Sequence, residues 1–342
     1  MPWVVTTLQC RFLFIQQEAP VKAIRVNQYG GPEVLSLEDV DVPEPKKGEV
    51  RIKVAAAGLN FIEIYQRSGQ YQGALPFTLG AEATGVVDAV GAGVDGVKIG
   101  DRVLTVAAQG AYAEYCTAPA DKVAPLPKSM DLITAATLGI QGMTAHYLAH
   151  DTFALKPGHV CLIHAAAGGT GALLVQIARL RGATVIGTVG SEEKAKIAKR
   201  AGANKVINYV THDFEAEVKK ITKGTGVDVV YDSVGKDTFD KSLNCLRPRG
   251  TMVLFGQASG PVAPFNPQVL NAKGSLFLTR PSLFVHIATR DALLKKVREL
   301  SRWVAQGKLK VKVDRTFPLA EAAAAHEYMA GRGTKGKVVL TP

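Results

Sequence analysis

The run Val160-Cys161-Leu162-Ile163-His164-Ala165-Ala166-Ala167-Gly168-Gly169-Thr170-Gly171 decides the fold. A short apolar stretch passes without a spacer into small residues and glycines, and a helix-forming segment, 172–179, follows at once. Strand, tight turn and helix in that order are what a phosphate-binding turn requires. Gly168 lets backbone approach a pyrophosphate, Gly171 lets the helix pack closely on the strand, and Gly169 and Thr170 lie between them at the helix N-terminus. That end offers free N–H groups and partial positive charge. Ala166 stands where the common fingerprint has its first glycine, a position it tolerates if its φ is negative.

A glycine turn alone is weak evidence, so the surrounding pattern matters. Apolar strand candidates at 159–164, 184–189, 205–209, 227–234, 251–256 and 275–279 alternate with helical stretches of roughly ten to fifteen residues. Residues 144–280 therefore read as an α/β unit, a Rossmann doubly wound parallel sheet that binds a dinucleotide. Residues 21–143 have another texture, with β-branched runs such as Val50-Arg51-Ile52-Lys53-Val54 broken by glycine and proline. They predict a mostly antiparallel, barrel-like domain. Beyond Arg280 the pattern gives a long amphipathic helix over 293–304, a strand over 309–313, a helix over 319–329 and a last strand over 338–340. Segment 281–342 is expected to return and complete the first domain.

A length of 342 residues exceeds one ordinary core and fits two domains. The apolar fraction of 47% is that of a globular protein, and no run of 18 apolar residues suggests a membrane span. The net charge of +11 admits polyanionic partners such as nucleotides, coenzyme A esters or RNA. Its surplus gathers late, at Lys295, Lys296, Arg298, Arg302, Lys308, Lys310, Lys312 and Arg315, a pattern read first as a solvated face. Cys10, Cys116, Cys161 and Cys245 lie far apart, which disfavours a disulfide framework and a thiolate zinc site and fits a reducing compartment. Residues 1–20 read as an appendage. Arg11 interrupts its most apolar stretch, and one basic residue is few for a transit peptide, so a cytoplasmic location leads and a mitochondrial one follows.

Cofactor choice is written about twenty residues past the turn, where sites for NAD present an acid to the ribose 2′-hydroxyl. The second strand ends Gly187-Thr188-Val189-Gly190-Ser191 with no acid at its tip, and Lys194 follows one turn later. A lysine there meets a 2′-phosphate by charge-assisted hydrogen bonds, so the pattern favours NADPH.

These residues together resemble the zinc-independent quinone oxidoreductases of the medium-chain dehydrogenase/reductase superfamily, the group that includes zeta-crystallin. The resemblance runs from about Lys22 to the C-terminus. Gly158-His159, Leu162, Ala166-Ala167-Gly168-Gly169, Gly171, Gln176 and Arg179 match the family's signature, and Gly80-Ala81-Glu82 with Gly85, Gly91 and Val94 match the superfamily's first-domain element. It implies a GroES-like barrel for the first domain. Zinc-dependent relatives carry a ligating cysteine where this chain reads Leu59-Asn60-Phe61 and a histidine where it has Ala81, so a catalytic zinc lacks its first ligands. His146 and His150 sit four apart without a third ligand, which favours a structural role.

A carbonyl or quinone gaining hydride develops negative charge on oxygen, and without a metal hydrogen-bond donors must stabilise it. Asn60, Tyr65 and Tyr71 are the polar candidates in segment 58–71, with Glu63 to orient them. The resemblance implies that Thr144 contacts the nicotinamide side, that Gly190, Ser191, Lys194 and Tyr209 surround the adenosine phosphate, and that Ser233, Phe255, Gly256, Gln257 and Ser259 follow the cofactor along the sheet edge. Arg332, in a glycine-rich loop, is a further cofactor-side candidate. The expected activity is NADPH-dependent reduction of quinones. Enone or enoyl-thioester reduction is the alternative on the same scaffold, and a crystallin-like or AU-rich RNA-binding protein is the alternative of another class. The resemblance also implies a homodimer.

Overall fold

In the computed structural model, which describes residues 19–331 and 333–342, alternating β-branched stretches build the first lobe. Its strands are β1 (Val21–Val26), β2 (Leu35–Val40), β3 (Glu49–Leu59), β4 (Phe77–Thr78), β5 (Ala83–Val90), β6 (Arg102–Thr105), β7 (Tyr115–Pro119) and β8 (Val123–Pro125). β1 pairs antiparallel with β2 and β4, and β3 pairs antiparallel with β5 and β7. β3 is the spine of this lobe. Only Lys53 of its eleven residues is exposed, because the strand has neighbours along its edges and packing on both faces. Val50, Ile52, Ala83, Val87, Val103 and Cys116 close a core around it.

The second lobe is one parallel sheet of β9 (Val160–Ile163), β10 (Thr184–Val189), β11 (Lys205–Asn208), β12 (Val227–Asp232), β13 (Leu246–Leu254) and β14 (Phe277–Thr279). Its order is β11-β10-β9-β12-β13-β14. The strand order reverses between β9 and β12, and ligands of such sheets sit at that switch point, off the carboxyl ends of the strands. β13 begins five residues before the expected 251, because Leu246 already pairs with Val227 across a register shift.

The tail adds β15 (Val313–Pro318) and β16 (Lys337–Thr341), with β16 antiparallel to β3 and parallel to β15. Through β16 the chain joins the sheet of the first lobe. The strand expected over 309–313 is not formed there. Gln176 takes both backbone groups of Lys310, accepting from its N–H at 2.8 Å and donating to its carbonyl at 2.9 Å, so this segment lies against a helix instead of a sheet. Helix Arg290–Ala305 is capped by Thr289, whose hydroxyl accepts from Ala292 N–H at 3.3 Å, and buries Leu293, Val297 and Leu300. The solvated-face reading of the late basic residues fails at Lys296, which is buried and paired with Asp151 at 2.5 Å. Residues 1–18, which include most of the expected appendage and Cys10, lie outside the described residues, as does Arg332.

Candidate active site

The glycine turn is held from beneath. Ala166 N–H donates to Thr188 O at 3.0 Å and Gly168 N–H to Ala165 O at 2.9 Å, and Gly168 caps helix Gly169–Leu180. The left-handed backbone falls on Ala165 (φ 50°), one residue before the fingerprint position. Ala166 keeps the negative φ that it needs. A Cβ at Gly171 would lie 2.1 Å from the Ala165 carbonyl oxygen, so this glycine is what lets helix and turn touch. At Gly169 the atoms nearest the same Cβ would be those of the Gln141 side chain, from 2.0 Å. The cradle, the free helix N-terminus and the switch-point position fit a dinucleotide pyrophosphate.

At the tip of β10, Ser191 caps helix Glu192–Arg200 by accepting from Lys194 N–H at 3.2 Å. The Tyr209 ring lies over Gly190, where a Cβ would come within 2.7 Å of its hydroxyl. Both neighbouring acids are engaged elsewhere. Glu192 accepts from Asn208 at 3.1 Å, and Glu193 is paired with Lys335 at 2.7 Å. Gly190, Ser191, half-buried Lys194 and Tyr209 are thus brought to one corner without a carboxylate at the strand tip.

Ser233, Phe255, Gly256, Gln257 and Ser259 gather where β12 and β13 end. Gly256 has no room for a side chain, since its Cβ would sit 2.5 Å from Ser233 O. The Ser259 hydroxyl donates to Val234 O at 2.8 Å and accepts from Asp237 N–H at 3.0 Å, so it staples the two loops together. The organiser of this edge is Asp232, which sequence reading passed over. Fully buried, it accepts from Val234 N–H at 2.7 Å, Gly235 N–H at 3.0 Å and the Thr238 hydroxyl at 2.7 Å. Ser242 joins it to buried His164, whose other ring nitrogen lies 2.8 Å from the Thr188 hydroxyl. An acid at the end of an apolar strand, followed by Ser-Val-Gly, was the available signal.

Across the cleft, helix Phe61–Arg67 carries half-buried Tyr65, whose phenol feels the Gln257 backbone and the Arg280 cation. Burial pushes the Tyr65 phenol up to about 12, so it stays protonated and able to donate near neutral pH. Tyr71 packs edge-on against Tyr65 with ring centroids 5.4 Å apart and is 44% exposed, which puts it at the mouth. Arg280, whose guanidinium donates to Leu254 O at 3.1 Å, adds a cation that acts on both Tyr65 and Tyr147. Buried Thr144 lies on helix Met143–Tyr147, which packs against helix Gly169–Leu180.

Asn60 occupies a different environment from the tyrosines. Register alone brings it to Glu82 and Lys337: β16 pairs Val338 with Leu59, and Gly58 N–H donates to Glu82 O at 3.0 Å. Lys337 donates to Asn60 Oδ1 at 2.8 Å and to Glu82, and Asn60 Nδ2 donates to Glu82 at 2.9 Å and to Gly58 O at 3.2 Å. Glu82 also accepts from Ile140 N–H at 2.9 Å. Glu63 accepts from Asn60 N–H at 2.8 Å and Ala81 N–H at 3.4 Å. Glu63, Glu82 and Lys337 are fully buried. Burial pushes the Glu63 carboxyl up to about 7, opposed by the Lys337 ammonium and reinforced by Glu82. The Asn60 amide therefore spends its hydrogen bonds inside the protein. Where zinc-dependent relatives have ligands, this chain builds an ion-paired knot tying β3, β5 and β16 to residues 138–142.

His146 and His150 are stacked 4.2 Å apart beneath Trp303, and His146 Nε2 lies 2.9 Å from Glu299. Among the described residues no three His, Cys, Asp or Glu side chains are grouped to hold a metal ion. Burial pushes the His146 ring down to about 4 from an ordinary 6.5. A depressed histidine contributes stability that is fully present above its unfolded value near 6.5 and is lost as pH falls through about 4. That shift is worth on the order of 3 kcal/mol. The melting temperature should drop by roughly 5 °C between pH 7 and 4.5, and His146→Phe, which keeps the stack, should flatten that slope in thermal scans.

Residues 46–128 match the family model described as alcohol dehydrogenase GroES-like domain, and residues 169–303 that described as zinc-binding dehydrogenase. The chain is 46% identical over 330 residues to the 2-haloacrylate reductase of a Burkholderia species, covering 94% of this chain and 99% of that one. It is 45% identical over 323 residues to quinone oxidoreductase 1 of Escherichia coli, covering 93% and 99%. The crystal structure of the E. coli quinone oxidoreductase complexed with NADPH superposes with a TM-score of 0.92 at 44% identity, covering 94% of this chain and all of that one. Parallel sheet, antiparallel GroES-like lobe, glycine turn and full-length similarity agree, and the chain belongs to the quinone oxidoreductases of the medium-chain dehydrogenase/reductase superfamily.

Proposed function

We propose that the protein is an NADPH-dependent quinone reductase that works without a metal. The observation that carries this is the glycine cradle at the switch point of the parallel sheet, together with a β10 tip whose corner holds Ser191, Lys194 and Tyr209 and no strand-end acid. Residues 144–280 form the cofactor side, and residues 21–143 with 281–342 the acceptor side. Ala166, Gly168, Gly169, Thr170 and Gly171 cradle the pyrophosphate. Gly190, Ser191, Lys194 and Tyr209 take the adenosine phosphate, and Thr144, Ser233, Phe255, Gly256, Gln257 and Ser259 line the path to the nicotinamide. Arg332 is assigned to the same side from its sequence position.

NADPH, when bound, supplies the hydride. The chain's own residues position the acceptor and stabilise charge on its oxygen: Tyr65 donates, Tyr71 borders the mouth, and Arg280 adds positive potential. Asn60 acts through the knot, fixing the backbone from which helix Phe61–Arg67 starts. Similarity to a 2-haloacrylate reductase favours a second reading, reduction of an activated carbon–carbon double bond in the same cleft. NADPH oxidation measured against a quinone, an enone and an enoyl thioester separates them: the quinone should give the highest kcat/KM, and a larger value for the enone would transfer the assignment.

Cofactor choice is tested separately. Lys194→Glu should weaken NADPH at least tenfold more than NADH; equal losses would remove Lys194 from the phosphate corner. Cys116, Cys161 and Cys245 are buried free thiols, which suits a reducing, cytoplasmic setting. A homodimer through the parallel sheet is supported by its edge strand β14, where Phe277 is 57% exposed, and sedimentation velocity would test it.

A further inference from the structure

Two cavities of about 240 and 270 Å³ adjoin on the outer flank of helix Gly169–Leu180. Both are lined by Gln176, Arg200 and Lys310, so they form one trough. Its walls are that helix, the end of helix Glu192–Arg200, segment 307–312 and residues 335–336. Arg179, Arg200, Lys308, Lys310, Lys312 and Lys335 line it, and among the described residues no Asp or Glu does.

The charges differ in how far they are already compensated. Lys335 is paired with Glu193, and Lys312 lies 3.8 Å from Asp314. Arg179 donates to Ala183 O at 2.7 Å. Arg200, Lys308 and Lys310 are exposed and have no carboxylate in ion-pair reach among the described residues. Like charges crowded along a concave wall repel one another, and a bound anion relieves that repulsion while making charge-assisted hydrogen bonds.

The wall is also built. Gln176 fixes the Lys310 backbone through both its amide groups, which holds the lysine row in place. At the inner end Gln141, only 7% exposed, lines the trough with its side-chain carbonyl oxygen unpartnered. A buried acceptor without a donor calls for a ligand hydroxyl or amine, which the nucleoside of a nucleoside polyphosphate carries and a bare polyphosphate lacks. The trough touches the cofactor turn at Gly169 and reaches none of Thr144, Ser191, Tyr209 or Gln257.

We propose that this trough is a second anion site, separate from the NADPH cleft, for a ligand with clustered phosphates such as a nucleoside polyphosphate or an inorganic polyphosphate. Two joined cavities with Arg200 and Lys310 at their junction suit several linked phosphates better than one. Part of the late positive charge, at Lys308, Lys310 and Lys312, thereby acquires a ligand.

The test is calorimetric titration of the full chain with tripolyphosphate and with ATP, with and without saturating NADPH. The expected result is saturable binding of one equivalent per chain that persists with NADPH present. Arg200→Glu and Lys310→Glu should each weaken it at least tenfold. Lys220→Glu, the same charge change on the exposed face of helix Phe214–Ile221, should leave it within twofold. Equal affinity for the two probes would assign recognition to the phosphates alone, and tighter ATP binding would add contacts to the nucleoside; either supports the site. Absence of saturable binding, its loss on adding NADPH, or equal weakening by Lys220→Glu would overturn it. Melting curves of the variants confirm that each remains folded.

Discussion

Lys337→Met is expected to cost roughly 3–5 kcal/mol of folding free energy, the usual penalty for removing one partner of a buried ion pair. The ammonium is fully buried at the start of β16 and is the cation that Glu82 and Asn60 share. Without it, Glu82 is left with the Asn60 amide and Ile140 N–H as donors, and Glu63 stands beside an uncompensated charge. Urea unfolding measures the loss directly. Lys337→Met with Glu82→Gln removes both charges and should recover more than half of it, since a neutral pair in a buried site often rivals the ionic one. A single variant within 1 kcal/mol of the parent would show that the knot is not what joins the three strands.

Gly171→Ala should lower NADPH affinity at least a hundredfold, read by quenching of protein fluorescence. The added Cβ lies 2.1 Å from the Ala165 carbonyl oxygen and 3.1 Å from Ala166 Cα, so relief requires moving the turn itself. Gly169→Ala is the comparison, because the atoms nearest its Cβ belong to the end of the Gln141 side chain and not to backbone. A loss of a few-fold is expected there. Similar losses at both positions would mean that the helix and turn do not depend on close contact at Gly171.

The parallel sheet was legible because each buried strand carries its own signal: β10 spans the expected 184–189, and β9 and β12 differ from expectation only at their ends. Apolar runs flanked by helices leave little else for the chain to do. The tail was harder to read. Val311 and Val313 alternate with lysines as a strand does, yet the backbone of Lys310 is claimed by Gln176, 134 residues away, and no local pattern records such a partner. The site divided in the same way. The glycine turn and the acid-free tip of β10 are local, so sequence placed them together. Asn60 looked like a donor because the residue is polar and follows a strand. Only the register of β16 against β3 shows that Lys337 and Glu82 consume its amide. Asp232 escaped notice because an acid at a strand end is ordinary, while its enclosure by Thr238, Ser242 and His164 is a tertiary fact. Lys296 misled for the converse reason: a lysine on an amphipathic helix usually faces water, and here Asp151 holds it inside.

The central claim is metal-free reduction of a quinone by NADPH. The most direct test is steady-state turnover of metal-stripped protein, verified by elemental analysis, with a simple quinone and either NADPH or NADH. The account predicts undiminished kcat/KM after stripping, no gain on adding zinc, and at least a tenfold preference for NADPH. Activity that disappears on stripping and returns with zinc, or equal use of the two nucleotides, would contradict it.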